Sequence, residues 1–138
     1  WRQFWGKDIY DDDGHLFAPY AVRNLARLIK HTEAKIVLSS SWRLDGLDLM
    51  RRIWENRKMP GEIYDITPYV NARDYPKFTR GIEIKTWLEK NDYLGCPYVI
   101  IDDIDDFLPD HQNNVVLTNY KRGLTLFVLL RAMRILIK

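Results

Sequence analysis

Tyr98-Val99-Ile100-Ile101-Asp102-Asp103-Ile104-Asp105-Asp106-Phe107 passes from an unbroken apolar run into four carboxylates within five positions. A β-branched run without alternation, following Cys96-Pro97, is the pattern of a strand buried on both faces, as in a parallel sheet lying under helices. Such sheets bind ligands at the C-terminal ends of their strands. Asp102, Asp103, Asp105 and Asp106 repel one another there unless protons or a cation intervene, and a hard cation such as Mg²⁺ takes oxygen ligands. The same acids equally suit a helix cap or a solvated turn, and both readings stand at this level.

Working outward, Lys35-Ile36-Val37-Leu38 reads as a second short buried strand, running into Ser39-Ser40-Ser41-Trp42-Arg43. Three hydroxyls and the planar fork of Arg43 can hold phosphate oxygens, or they form a polar turn before the next helix. Pro19 opens an amphipathic helix to about His31, with Val22, Leu25, Leu28 and Ile29 on its apolar face. Leu47, Met50, Ile53 and Trp54 mark a further helix, broken at Met59-Pro60-Gly61. Glu62 to Ile66 is a strand closed by Thr67-Pro68, and residues Tyr69 to Phe78 form a charged, aromatic loop. Thr79-Arg80-Gly81 then opens a helix that buries Ile84, Trp87 and Leu88. Arg80 at that helix start is a candidate phosphate ligand, or else a partner of Glu83. Val115 to Thr118 is the last strand, and Gly123-Leu124-Thr125 leads into a closing helix with Leu126, Leu129, Leu130, Met133 and Ile137 as its expected inner stripe. This alternation predicts an α/β fold with a mainly parallel sheet and helices on both faces. It brings residues 39–41 and 102–106 to one edge of the sheet.

At 138 residues the chain is expected to be one domain, 1–138, with a real core. A hydrophobic fraction of 46% excludes a disordered chain, and a net charge of +2 does not by itself imply a nucleic-acid partner. The single cysteine, Cys96, excludes an internal disulfide framework and fits a reducing compartment. The most apolar segment, Leu124 to Ile137, is interrupted by Arg131 and Arg134 and is shorter than the roughly 20 residues that a bilayer requires. A soluble, cytoplasmic protein with no membrane partner is the expectation.

Near the start, Asp11-Asp12-Asp13-Gly14-His15-Leu16 matches the D-x-D-G-x-L string in which a nucleophilic aspartate and a second aspartate act on phosphate esters. That chemistry needs a buried strand ahead of the aspartates, and Gly6-Lys7-Asp8-Ile9-Tyr10 is a poor one. Aspartates beside glycine are ordinary turn formers, so a turn is expected here.

Taken together, Lys35 to Arg43, Pro60-Gly61-Glu62-Ile63-Tyr64-Asp65-Ile66-Thr67-Pro68, Arg80-Gly81-Ile82-Glu83-Ile84, Val99-Ile100-Ile101-Asp102-Asp103 and Gly123-Leu124-Thr125 resemble the haloacid dehalogenase (HAD) superfamily, and within it the small capless domains grouped with RNA-repair proteins. The resemblance runs from about Phe17 onward. It implies a three-layer Rossmann-like (HAD-like) sheet and Mg²⁺-dependent phosphoryl transfer from a phosphate ester, with a nucleotide or a nucleic-acid end among the substrates an open site admits. A non-catalytic phosphate- or nucleic-acid-binding module is the alternative. Residue by residue, it places Ser39, with Ser40 beside it, on the transferring phosphoryl group, and Arg80 near the family's basic residue. Asp102 and Asp103, with Asp106 as a helper, are placed on Mg²⁺. The family's nucleophile stands at the end of a first strand, which is expected upstream of Trp1, between the strands ending at Leu38 and Ile101; the chain as it stands is therefore expected to be inactive.

Overall fold

The computed structural model describes residues 10–11, 14–15, 17–40, 43, 45–119 and 121–137. Two short strands, β1 (Tyr10–Asp11) and β2 (Gly14–His15), pair antiparallel, Asp11 opposite Gly14. The pairing fits the expected turn; Asp12, Asp13 and Leu16 lie outside the described residues. Helix α1 (Pro19–Thr32) follows, with proline in its first turn, where the missing N–H costs nothing, and with Glu33 closing it in the left-handed conformation at φ 54°. Strand β3 (Ile36–Leu38), helix α2 (Leu47–Asn56), strand β4 (Ile63–Ile66) and helix α3 (Thr79–Lys90) come next. Strand β5 (Ile100–Asp102), a 3₁₀ helix over Pro109–Asn114, strand β6 (Val115–Leu117) and helix α4 (Leu126–Ile137) complete the chain. From α1 onward the order is the one that the apolar periodicity predicts, apart from the 3₁₀ crossover; the β1–β2 pair ahead of it was not expected.

The parallel strands form two pairs instead of one broad sheet. Strand β3 pairs with β4, with a register shift after Ile36, and β5 pairs in even register with β6. Among the described residues no ladder joins β3 to β5.

Alternate residues of β5 and β6 serve opposite layers, as the two-residue period of a strand requires. Val116, with the half-buried Val99 and Ile101, packs against Ala18, Ala21 and Leu28 at α1 and against Val128, Leu129 and Ala132 of α4. Ile100 and Val115 face the other way, onto Ile84, Trp87 and Leu88 of α3 and onto Phe107. The strand at Ile100 is therefore covered on both faces, and the fold is an α/β, Rossmann-like arrangement with helices on both sides of short parallel strands. The buried Asn24 crosses from α1 to the entry of α4, donating its Nδ2–H to the Leu124 carbonyl at 2.9 Å.

The inner stripe expected for α4 is corrected. Leu129 is buried and Met133 half-buried, but Leu126 (56% exposed), Leu130 (57%) and Ile137 (61%) face outward, while Val128 and Ala132 line the core. In a helix so apolar only Arg131 and Arg134 mark the outer side, and that side also holds Leu126, Leu130 and Ile137. Contact with α1 chooses it, where Ala21 and Ala132 let the two helices approach closely.

Candidate functional site

Asp102 is the last residue of β5, and its carboxylate closes the strand on itself. Oδ1 accepts the backbone N–H groups of Asp103 at 2.7 Å and Ile104 at 3.1 Å, while Oδ2 accepts Nη1–H of Arg80 at 2.7 Å. Asp106 reaches the same helix start, Oδ2 accepting the Arg80 backbone N–H at 3.2 Å and its carbonyl accepting that of Gly81 at 2.9 Å. Two of the N–H groups that a helix leaves without partners in its first turn are satisfied in this way. The close approach depends on Gly81: a Cβ there would lie 2.7 Å from the Leu108 nitrogen and 2.9 Å from the Phe107 Cα. Of the two readings of Arg80, pairing with Glu83 is overturned, and its partner is Asp102.

Asp103 points into a more open setting. Partial desolvation at the strand end, then the Asp102 carboxyl beside it, push its carboxyl above the usual carboxylate range. Two adjacent carboxylates with one cationic partner between them favour a further cation or a proton. Mg²⁺ keeps most of its waters and needs only one or two protein carboxylates, so the Asp102–Asp103 pair fits that ion. Among the described residues no group of three His, Cys, Asp or Glu side chains is arranged around one point, and Asp106 is engaged with the backbone of α3.

Ser39 and Ser40 follow β3 and are half-buried; Ser41 and Trp42 lie outside the described residues. What holds this turn is Arg43, and of its two readings the structure supports the polar turn and overturns the phosphate fork. Arg43 is only 2% exposed. Its Nη1–H groups donate to the Ser39 and Ser40 carbonyls at 2.6 and 2.7 Å, Nε–H donates to the Thr67 carbonyl at 3.1 Å, and Nη2 meets Glu83 Oε1 at 2.8 Å. The Tyr69 ring covers the guanidinium at 4.0 Å. Glu83 spends its other oxygen on the Val70 N–H at 3.1 Å. A guanidinium so enclosed fixes the ends of β3 and β4 against α3 and has no fork left for a ligand. The structure thus brings Arg80, Asp102, Asp103 and Asp106 together at the end of β5. It sets Ser39 and Ser40 at the end of the neighbouring pair, with no hydrogen bond among the described residues joining the two groups.

Two residues were missed. Thr67 follows β4 and donates its N–H to the Leu38 carbonyl at 2.9 Å, and Thr118 follows β6 and donates to the Asp102 carbonyl at 2.8 Å. Both are buried, and both Oγ1 atoms lack a hydrogen-bond partner among the described residues. A buried hydroxyl left unpaired costs about 1–3 kcal/mol, a cost that a polar group brought to the strand ends would relieve. The available signal was the repetition of one pattern, an apolar strand followed at once by a hydroxyl, at Leu38-Ser39, Ile66-Thr67 and Leu117-Thr118.

Among the described residues no helix is long and apolar enough to cross a membrane, and Cys96 is exposed with a free thiol. Comparison with curated proteins and with solved structures found no match. The family model of the HAD domain in Swiss Army Knife RNA repair proteins matches residues 1–127, nearly the whole length, and the chain belongs to that family of HAD-type RNA-repair domains.

Proposed function

We propose that this domain binds a phosphate ester at the C-terminal ends of β3 and β5 and takes part in Mg²⁺-dependent phosphoryl transfer, with a phosphorylated nucleic-acid end as substrate. The observation that carries the reading is the Arg80–Asp102 pair, a guanidinium set by a helix N-terminus against the carboxylate that ends a buried strand. In this reading Arg80 neutralises phosphoryl oxygens, and Ser39 and Ser40 hydrogen-bond them. Asp102 and Asp103 hold Mg²⁺ directly or through water, and Asp106 anchors the helix that carries Arg80. HAD domains generally use Mg²⁺, which here would offset charge on the phosphoryl oxygens. The attacking carboxylate stands on a strand seated between β3 and β5, where the described residues leave the two pairs unjoined.

Titration calorimetry with Mg²⁺ tests the metal assignment. Asp103→Asn is expected to abolish the binding heat and Asp13→Asn to leave it unchanged. Equal loss from both would move the site to the Asp11-x-Asp13 segment. Release of phosphate from a 3′- or 5′-phosphorylated oligoribonucleotide, with the strand that bears the attacking carboxylate present, tests the reaction: Mg²⁺-dependent turnover lost in Arg80→Ala supports phosphoryl transfer. Tight binding of the phosphorylated end without any turnover, that strand being present, favours the non-catalytic alternative.

A further inference from the structure

Charge is segregated along this chain in a way that its net +2 conceals. Residues 14–32 hold Arg23, Arg27 and Lys30 with no Asp or Glu, and residues 111–138 hold Lys121, Arg122, Arg131, Arg134 and Lys138 with none, which leaves 13 Lys and Arg against 19 Asp and Glu elsewhere. The two carboxylate-free segments are the ones that fold into α1 and α4, packed side by side over Val116. Arg23, Arg27 and Lys30 recur at i, i+4 and i+7, so they fall on one stripe of α1, and all three are exposed. Arg131 and Arg134 are exposed on α4, one turn apart, between Phe127 (68% exposed) and Ile137. None of Arg23, Lys30 and Arg134 meets a carboxylate among the described residues. Arg27 is oriented by the buried Asn24, whose Oδ1 accepts its Nη1–H at 3.2 Å, and Arg131 lies 5.8 Å from the Phe127 ring centre.

We infer that the α1/α4 face is a docking surface for a single-stranded nucleic acid, whose phosphates follow the α1 stripe while a base stacks on Phe127. Cations at successive turns with an exposed aromatic among them combine the two elements by which single strands are held, charge along the backbone and a ring for a base. Direction supports the same occupant. Helix α4 begins shortly after β6, which ends opposite Asp102, and Tyr20 and Asn24 in the first turns of α1 donate to the Arg122 and Leu124 carbonyls just ahead of α4, so both helices begin near the edge where β5 ends and the stripe leads away from it. An anionic bilayer would find Leu126, Phe127, Leu130 and Ile137 exposed on α4, but the stripe that carries the charge does not suit it, because the exposed positions of α1 are Pro19, Arg23, Ala26, Arg27, Lys30 and His31, with no large apolar side chain to insert.

The inference stands on the charge pattern and not on phosphoryl transfer, so it is tested by binding alone, in EDTA. The probe is a fluorescein-labelled 20-nucleotide RNA of mixed sequence, with DNA of the same sequence as a second arm, followed by anisotropy from 50 to 200 mM salt. Arg23→Gln/Arg27→Gln/Lys30→Gln is expected to weaken binding by at least about tenfold at 50 mM and to lower the slope of log affinity against log salt by about two, at roughly 0.7 for each phosphate no longer neutralised. Arg52→Gln/Lys58→Gln/Lys90→Gln removes the same charge from the α2/α3 side and is expected to stay within about twofold of wild type. Unfolding midpoints identify a variant that fails to fold; the single Arg23→Gln, expected to lower the slope by about 0.7, then serves in its place. Equal losses from both triple variants, no oligonucleotide binding at 50 mM, or tighter binding to polyglutamate or phosphatidylserine vesicles than to either oligonucleotide would overturn the inference.

Discussion

Helix α3 carries two ion pairs one turn apart, and they do different work. Glu83 reaches Arg43 where the two side chains are 2% and 6% exposed, while Arg80 reaches Asp102 where they are 19% and 10% exposed. The inner guanidinium has a protein acceptor on every side: two serine carbonyls, the Thr67 carbonyl, a carboxylate and, at 3.4 Å, the Pro68 carbonyl. The outer one makes a single charged contact at the mouth of a strand end. Charge buried with all its partners specifies geometry; charge held by one partner and open to solvent on another side remains available to a ligand. One helix therefore both locks the Ser39–Ser40 turn in place and presents a guanidinium that is still partly open to solvent.

The largest effect is expected on stability at the inner pair. Removing one partner of a buried pair strands the other charge, at about 3–5 kcal/mol. Glu83→Ala should therefore lower the free energy of unfolding by that much, measured by urea denaturation. Arg43→Met/Glu83→Leu should recover only part of the loss, because the carbonyls of Ser39, Ser40 and Thr67 stay buried without their donor. Full recovery would mean that the pair contributes charge balance alone and does not hold the turn.

At the outer pair the expectation reverses. Arg80→Ala should cost about 1 kcal/mol or less of stability, since a partly exposed pair contributes little and Asp102 keeps its two backbone donors. With the strand that bears the attacking carboxylate present, phosphate release from the oligonucleotide should fall by about 10²–10³, the usual cost of losing one preorganised charge from a reacting centre. Arg80→Ala as destabilising as Glu83→Ala would erase the contrast between the pairs.

How far this contrast was legible in the sequence depends on the kind of signal each part carries. The elements themselves were legible, since Val22, Leu25 and Leu28 repeat at helical spacing and Val99 to Ile101 form an unbroken β-branched run. The carboxylates at the end of β5 announced themselves by density. The partners of the two arginines did not, because Arg43 and Arg80 look alike in a string. What separates them is the approach of residues 67–70 and α3, a tertiary contact 24 to 40 positions away. Thr67 and Thr118 were passed over for a similar reason: a threonine after a strand is ordinary until burial removes its partners. The outward turn of Leu126 and Leu130 was marked only by Arg131 and Arg134, which share that side of α4 and were outweighed by its apolar majority.

Gly81→Ala probes both pairs through their shared helix and should fall between them. The new methyl would meet the backbone of Phe107 and Leu108, which cannot swing aside as a side chain does. Overpacking of this kind costs about 1–3 kcal/mol. Because α3 must back away from Asp106, the hydrogen bonds at Arg80 N and Gly81 N lengthen first, so activity should fall with stability. A loss of stability with unchanged turnover would show that Arg80 is not placed by this contact.

The smallest effect concerns a buried imidazole one of whose nitrogens has no hydrogen bond among the described residues. His111, on the 3₁₀ helix between β5 and β6, is buried edge-on to Tyr98, and its Nδ1 has no hydrogen-bond partner among the described residues. Burial pushes the imidazole below its ordinary value near 6.5; the Asp110 carboxylate opposes the shift, and the Lys85 ammonium adds to it. With the folded value below the unfolded one, the unfolded chain binds the extra proton more readily, so stability rises with pH through this window. The contribution is complete above about pH 6.5 and is lost as pH falls through the depressed folded value. Unfolding midpoints measured from pH 7.5 down to 5 should therefore decline below about 6.5 in the wild type, and the decline should flatten in His111→Gln, which has no proton to gain. The same slope in both proteins would assign the acid sensitivity to other groups and leave the neutral imidazole without an energetic role.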